Sequence, residues 1–160
     1  MKTRLLPIAS ILLVLISPVV LSQETPDNPR IADLRAQQER RDNPVTQEDI
    51  LILNGALALL SEESAWNRAD DRVCEDDESK GVRSLFCALQ KANIDILGEY
   101  DHRRVALQEV RFAIQDATNN RRFEHRLRDF NNLPETTLSD IRSVLEVATE
   151  KVALRLKNTN

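Results

Sequence analysis

The chain has 160 residues and a formal net charge of −4, and 30% of its residues are charged. This length is enough for one domain and too short for two domains with separate hydrophobic cores. An acidic chain has little long-range attraction for phosphate backbones or anionic lipid. We therefore expect neither nucleic-acid binding nor membrane-surface binding to be its main task.

The N-terminus has the pattern of a secretory signal peptide. Lys2 and Arg4 precede an apolar block from Leu5 to Leu21, and a small residue stands before the predicted cleavage point at Gln23. Two prolines interrupt the block, which barely approaches the ~20 apolar residues that a membrane-spanning helix needs. This favours a cleaved signal peptide at residues 1–22 over an uncleaved anchor, and it predicts an exported protein, periplasmic or secreted.

The remainder divides into a tether and a helical domain. Residues 23–45 contain three prolines and the polar run QQERRDN, which predicts a flexible tether. Residues 46–157 show helical spacing of apolar residues and no strand-like alternation. The predicted fold is all-α, a single bundle-like domain of about four helices with one irregular acidic loop at 66–81.

Apolar spacing and capping residues locate the helices. Thr46 and Thr137 are each followed three residues later by Asp, which predicts that they cap the first and last helices. Ile96 is expected on the buried face of the central helix. In the third helix, Val105 and Phe112 form a second apolar stripe that needs a loop or a partner to cover it. The predicted helices cover about 50–64, 82–97, 102–118 and 138–156, with a short helical turn near 123–130.

Cys74 and Cys87 are the two cysteines of the chain. An even cysteine count in an exported chain favours a disulfide, which would contribute ~3 kcal/mol by restricting the unfolded chain. The alternative is that Cys87 is a small buried apolar residue and that Cys74 lies unpaired in a loop.

Three short motifs resemble a family of small all-helical bacterial proteins of unknown function. They are Trp66-Asn67-Arg68, Phe86-Cys87-Ala88-Leu89, and the run from Asn131 to Thr137 followed by Asp140-Ile141. The likeness covers roughly residues 50–156. It departs from the family pattern at Gln90, Phe130 and Asn132, where the family has Gly, Trp and Asp, and Cys74 is an addition. The resemblance implies one helical domain and no particular activity.

The acidic loop does not fit a calcium site. The nearest EF-hand register places Lys80 where an oxygen ligand is required and Cys87 where the bidentate Glu belongs. A solvated loop or a contact for a basic partner is the better interpretation, so no metal site is predicted. The candidate interaction residues of this loop are Trp66, Asp76, Asp77 and Glu78.

Arginines surround Phe123, an arrangement that would suit an acidic ligand. The competing interpretation is ion pairing within the chain, through Glu124, Asp129 and the acidic loop, because exposed ion pairs are common. Both interpretations stay open from the sequence. The candidate interaction residues here are Arg121, Arg122, Phe123 and Arg126, with Arg128 beside them.

His102 and His125 are the two histidines, and neither spacing is diagnostic of a metal site or of a base beside a Cys87 nucleophile. We predict no catalytic residue and no cofactor. The functional prediction is an exported, non-enzymatic interaction or binding module, of which an inhibitor or immunity-type protein is one form. The alternative is a small secreted hydrolase or metal-dependent enzyme that uses His102 and His125. The expected partner is another protein or a small ligand.

Overall fold

The structure, a computed structural model, describes residues 43–159 without the side chain of Asp76. The predicted signal peptide and the tether up to residue 42 lie outside the described residues. Within them the chain forms six α-helices and a 3-10 turn at Glu63–Ala65, and no strand, which confirms the all-α prediction. The helices are α1 Gln47–Leu59, α2 Cys74–Lys80, α3 Leu85–Leu97, α4 Val105–Ala117, α5 Arg126–Asn131 and α6 Leu138–Thr159.

The core lies between α1, α3, α4 and α6. Helix α1 packs against α3 and α6, and α4 packs against α6. A Cβ atom on Gly55 would lie 3.1 Å from the Cβ atom of Ala92, so α1 and α3 cross closely at this glycine. Close approach of the two backbones explains why α1 tolerates a residue that costs a helix interior about 1 kcal/mol. None of the described helices is long and apolar enough to cross a membrane.

Both predicted helix caps are confirmed. Asp49 accepts a hydrogen bond from the Thr46 backbone N–H at 2.9 Å, and Asp140 accepts one from the Thr137 N–H at 2.9 Å. The Asp140 N–H also donates to the Thr137 hydroxyl at 3.2 Å, which completes a reciprocal capping box.

Several sequence-based boundaries are corrected by tertiary contacts. Helix α1 ends at Leu59 rather than near residue 64, and the loop at 66–81 contains α2, which ends at the left-handed Gly81 with φ 71°. Ile96 is 39% exposed, so its predicted place in the core is wrong; in the last turn of α3 it is Leu97 that packs against the core. Val105 and Phe112 are 3% and 5% exposed, and the chain itself covers that stripe.

Candidate functional site: a basic cleft beside Arg72

Two of the sequence motifs meet at Asn131. Its Oδ1 atom accepts hydrogen bonds from the Trp66 indole N–H at 2.8 Å and from the Leu85 backbone N–H at 3.0 Å. Its Nδ2 atom donates to the Asn67 carbonyl oxygen at 2.9 Å. Trp66 is only 5% exposed. Trp66 therefore anchors its loop to α5, and its buried side chain offers little surface to a partner.

The next residue extends this attachment. The Asn132 side chain pairs with both backbone groups of Asp70, accepting from its N–H and donating to its carbonyl oxygen, each at 2.8 Å. The Arg68 guanidinium donates to the carbonyl oxygens of Pro134 and Thr136 at 3.2 and 2.9 Å. The segment 66–70 is thus fixed to the turn at 131–136, and we call this set of contacts the asparagine clasp.

The far end of the same loop is fixed through α2. The Sγ atoms of Cys74 and Cys87 are 2.17 Å apart, the predicted disulfide pair, and this bond joins α2 to α3. The buried Asp77 carboxylate accepts hydrogen bonds from Asn67 Nδ2 at 2.6 Å and from the Ser84 N–H at 3.3 Å. Asp77 therefore holds the loop in place, and its side chain is not available to a partner.

Arg72 lies between these two attachments in a left-handed backbone conformation, φ 68°. Asp70 Oδ1 accepts a hydrogen bond from the Arg72 N–H at 2.7 Å, and Asp71 Oδ1 accepts one from the Val73 N–H at 2.9 Å. A non-glycine residue held in this region costs about 1 kcal/mol or more. The turn places the Arg72 guanidinium 5.5 Å from the centre of the Phe86 ring.

A cleft of about 270 Å³ opens beside Arg72. Four arginines and one glutamate are among its lining residues, which come from the loop, from α3 and α4, and from α5 with the segment just before it. Arg72 Nη1 lies 3.4 Å from His125 Nε2, within hydrogen-bond distance. The lining residues are Arg72, Phe86, Arg111, Phe123, Glu124, His125, Arg126, Leu127 and Arg128.

The carboxylates near the cleft are held unequally. Asp129 forms an ion pair with Arg128 at 2.6 Å. Burial raises the pKa of Asp129, but the hydrogen bonds from the His125 backbone N–H and from Arg128 outweigh burial, so the pKa is lowered overall. The Glu124 side chain is 80% exposed and lies 3.9 Å from both Arg128 and His125. Glu124 is thus a loosely held acid at the mouth of a basic cleft.

A sequence profile described as a family of unknown function, DUF6197, matches residues 44–151. The chain belongs to this family. A search of curated proteins and a search of solved structures each found no match. The DUF6197 region includes both sides of the asparagine clasp and every residue that lines the cleft. The predicted resemblance to a family of unknown function is confirmed.

The arginine cluster predicted from the DUF6197 sequence is divided by the structure. Phe123 and Arg126 line the cleft, whereas Arg121 forms an ion pair with Glu135 at 2.8 Å and Arg122 is exposed outside the lining. In the acidic loop, Glu78 is exposed and pairs with Arg83 at 3.3 Å. Of the predicted candidates, Phe123 and Arg126, with Arg128 beside them, line the cleft, and Arg121 lies over the Phe123 ring at 5.6 Å.

Arg72, Phe86 and Arg111 were missed by sequence reasoning. No sequence pattern indicated them as a group, because Arg72 lies in an irregular loop while Phe86 and Arg111 lie on two different helices. The Asp-Asp pair directly before Arg72 was the available clue, since Asp side chains favour such turns by binding nearby backbone N–H groups.

The histidines do not converge. His125 lines the cleft, while His102 is exposed and is not among the lining residues. Cys87 is bonded to Cys74, so no thiol is available there for His102 to activate. Within residues 43–159, no three side chains of His, Cys, Asp and Glu gather in a way that could hold a metal ion.

The buried Asp70 carboxyl group gives a pH-dependent prediction. Asp70 is 4% exposed, and among the described atoms its Oδ2 has no hydrogen-bond partner. Burial raises its pKa above the ordinary 3.8, against the hydrogen bond from the Arg72 N–H. A raised folded-state pKa contributes stability that is fully present below the unfolded-state pKa and is lost as the pH rises through the folded-state value.

Asp70→Asn keeps an oxygen for the Arg72 N–H and removes the buried charge. We expect the free energy of unfolding to rise by about 1 kcal/mol at pH 7. The difference from wild type should vanish at about pH 3, where the Asp70 carboxyl group is itself uncharged. Urea unfolding at both pH values measures this. An equal loss of stability at both values would contradict it.

Proposed function

We propose that this protein is an exported, non-enzymatic binding module whose basic cleft receives an anionic group of a protein partner or small ligand. Arg72 carries the proposal. It occupies a strained backbone conformation, and strain of this kind is found preferentially at functional sites. The conformation places the Arg72 guanidinium beside the Phe86 ring and among the residues that line the cleft.

The surroundings of Arg72 support this role. Among the described side chains, no carboxylate lies within ion-pair distance of its guanidinium, which instead meets Phe86 and His125. The Tyr100 ring packs edge-on against Phe86 at 6.2 Å. Burial raises the pKa of Tyr100, and the charges of Arg111 and Arg72 oppose that rise.

The charge distribution favours a compact anionic group over a polyanion. The chain as a whole is acidic, so an extended polyanion meets repulsion outside the cleft. A single acidic group meets Arg72, Arg111 and Arg126 inside it, while Arg128 is already paired with Asp129. An inhibitor or immunity-type protein that captures an acidic feature of its partner is one form of this function. No observation on the described residues favours the alternative enzyme, because His102 and His125 do not share a site.

The test uses Arg72→Gln and a panel of anions at constant ionic strength: acetate, hexaglutamate, sulfate and phosphate. At least one anion should raise the melting temperature of the wild type more than that of Arg72→Gln. Arg122→Gln is the matched control, because it removes the same charge from a residue outside the cleft. Identical responses of the wild type and Arg72→Gln to every anion would refute the proposal.

Export is tested separately. We expect the mature chain to begin at Gln23, because the sequence offers a cleavage site just before it. Intact-mass measurement of the protein recovered from outside the cytoplasm checks this. A mass that still includes residues 1–22 would favour the anchor interpretation instead.

A further inference from the structure

We infer that the group received by the cleft is a tetrahedral dianion, a phosphate or sulfate group, rather than a carboxylate. This inference rests on the proposed function and specifies the chemistry of its ligand. It depends on the parts of the fold that supply the donors, on how the donors are anchored, and on the size of the cleft.

The donors reach the cleft from separate parts of the fold. Arg72 comes from the loop before α2, Arg111 from α4, and Arg126 with Arg128 from α5. A carboxylate has two oxygens in one plane, and one guanidinium fork can occupy both of them. A tetrahedral oxyanion directs its oxygens to several sides. Arginines from three separate segments line this one small space, an arrangement suited to the tetrahedral group.

The guanidinium groups are anchored before any ligand arrives. Arg111 Nη1 donates to the His102 carbonyl oxygen at 3.1 Å, and Arg126 Nη1 donates to the Arg111 carbonyl oxygen at 3.1 Å. Arg72 lies against the Phe86 ring. Groups held in this way lose little conformational freedom on binding, which favours recognition of a fixed geometry. The lining contains arginines and no lysine. The planar guanidinium of arginine binds two oxygens of an oxyanion at once, whereas the ammonium group of lysine acts as a point charge.

The size of the cleft limits the ligand. Its volume of about 270 Å³ lies below the ~300 to 1,000 Å³ of pockets that enclose a drug-sized molecule. It has room for an anionic head group, while the rest of a larger ligand stays outside. A phosphorylated or sulfated group on a partner and the free inorganic ion share this chemistry, and the experiment separates them.

Glu124 provides an opposing variant. Its carboxylate is loosely held 3.9 Å from Arg128 and His125, where it competes with an incoming anion and repels a dianion more than a monoanion. Glu124→Gln should therefore tighten binding of the dianion. Glu150→Gln is the matched control, because Glu150 is an exposed acid on α6 and does not line the cleft.

The experiment is calorimetric titration of the full mature chain at pH 7.5 and constant ionic strength. The probes are inorganic phosphate, inorganic sulfate, acetate, a phosphoserine peptide and the same peptide with Glu in place of phosphoserine. We expect phosphate and sulfate to bind about tenfold more tightly than acetate, and the phosphopeptide about tenfold more tightly than the Glu peptide. Arg72→Gln should weaken phosphate binding about tenfold, and Glu124→Gln should strengthen it about threefold.

The outcomes separate the two proposals. Tighter binding of the phosphopeptide than of inorganic phosphate identifies an ester on a partner as the source, and the reverse order identifies the free ion. Binding of acetate or the Glu peptide that depends on Arg72, without a preference for phosphate or sulfate, overturns this inference and leaves the proposed function standing. If no anion depends on Arg72, both fail. Phosphate binding unchanged in both Arg72→Gln and Glu124→Gln would also overturn the inference.

Discussion

Replacing Asn131 by alanine is expected to lower the free energy of unfolding by about 3 kcal/mol. The substitution leaves the buried indole N–H of Trp66 and the backbone N–H of Leu85 without their acceptor, and each unpaired buried group costs about 1 to 3 kcal/mol. It also removes the donor to the Asn67 carbonyl oxygen. Urea denaturation followed by tryptophan fluorescence measures the change, since Trp66 is the single tryptophan of the chain.

Two further variants make this result specific. Asn54→Ala removes an exposed asparagine from α1 and should change stability by less than about 0.5 kcal/mol. Asn131→Asp keeps an oxygen for Trp66 and Leu85 but places a charge in a buried site, so it should also destabilise the protein. A loss below about 1 kcal/mol in Asn131→Ala would show that the asparagine clasp contributes little to stability.

The second large effect is expected at the disulfide. Cys74→Ser should lower the free energy of unfolding by about 2 to 4 kcal/mol, because the bond restricts the unfolded chain across a separation of 13 residues. The segment 66–81 should loosen first. Since Cys74 lies two residues after Arg72, the variant should also bind anions more weakly than its stability alone explains. Chemical denaturation measures the first effect, and anion titration measures the second.

Reduction of the wild type serves as the control. A reductant should lower the stability of the wild type by a similar amount and should leave Cys74→Ser unchanged. Non-reduced wild type should show no free thiol after unfolding, since Cys74 and Cys87 form the pair. Labelling of two thiols in denatured protein taken directly from the exporting compartment would contradict the disulfide.

The features that the sequence predicted correctly are short-range. Thr46 with Asp49, and Thr137 with Asp140, are three residues apart, so the cap is determined by a stretch shorter than one helical turn. Apolar spacing similarly identified the four long helices. The short helix α2 was not predicted because its sequence, CEDDESK, has no apolar face. Its attachments to the rest of the fold are the disulfide and the Asp77 carboxylate.

The candidate site depends on contacts between residues far apart in the sequence. The sequence indicated Trp66 as a candidate contact residue, yet Trp66 is buried. Its hydrogen-bond partner Asn131 lies 65 positions away in the chain. Arg72 faces His125 across a separation of 53 positions. No local sequence pattern predicts such long-range pairings. The arginines around Phe123 were recognised as a group, but which of them face the cleft is set by how α4, α5 and the loop pack together.

The asparagine clasp also bears on the order in which the chain becomes protected during folding. The Asn132 side chain forms hydrogen bonds with both backbone groups of Asp70, as a neighbouring strand would, although the two residues are 62 positions apart. Closing so long a loop costs entropy that other contacts must offset, so we expect this pairing to form late in folding. We also expect the loop that carries Arg72 and the short helix α5 to open as one unit. Detachment of α5 would then expose the amide hydrogens of Asp70 and Leu85 to exchange with solvent together.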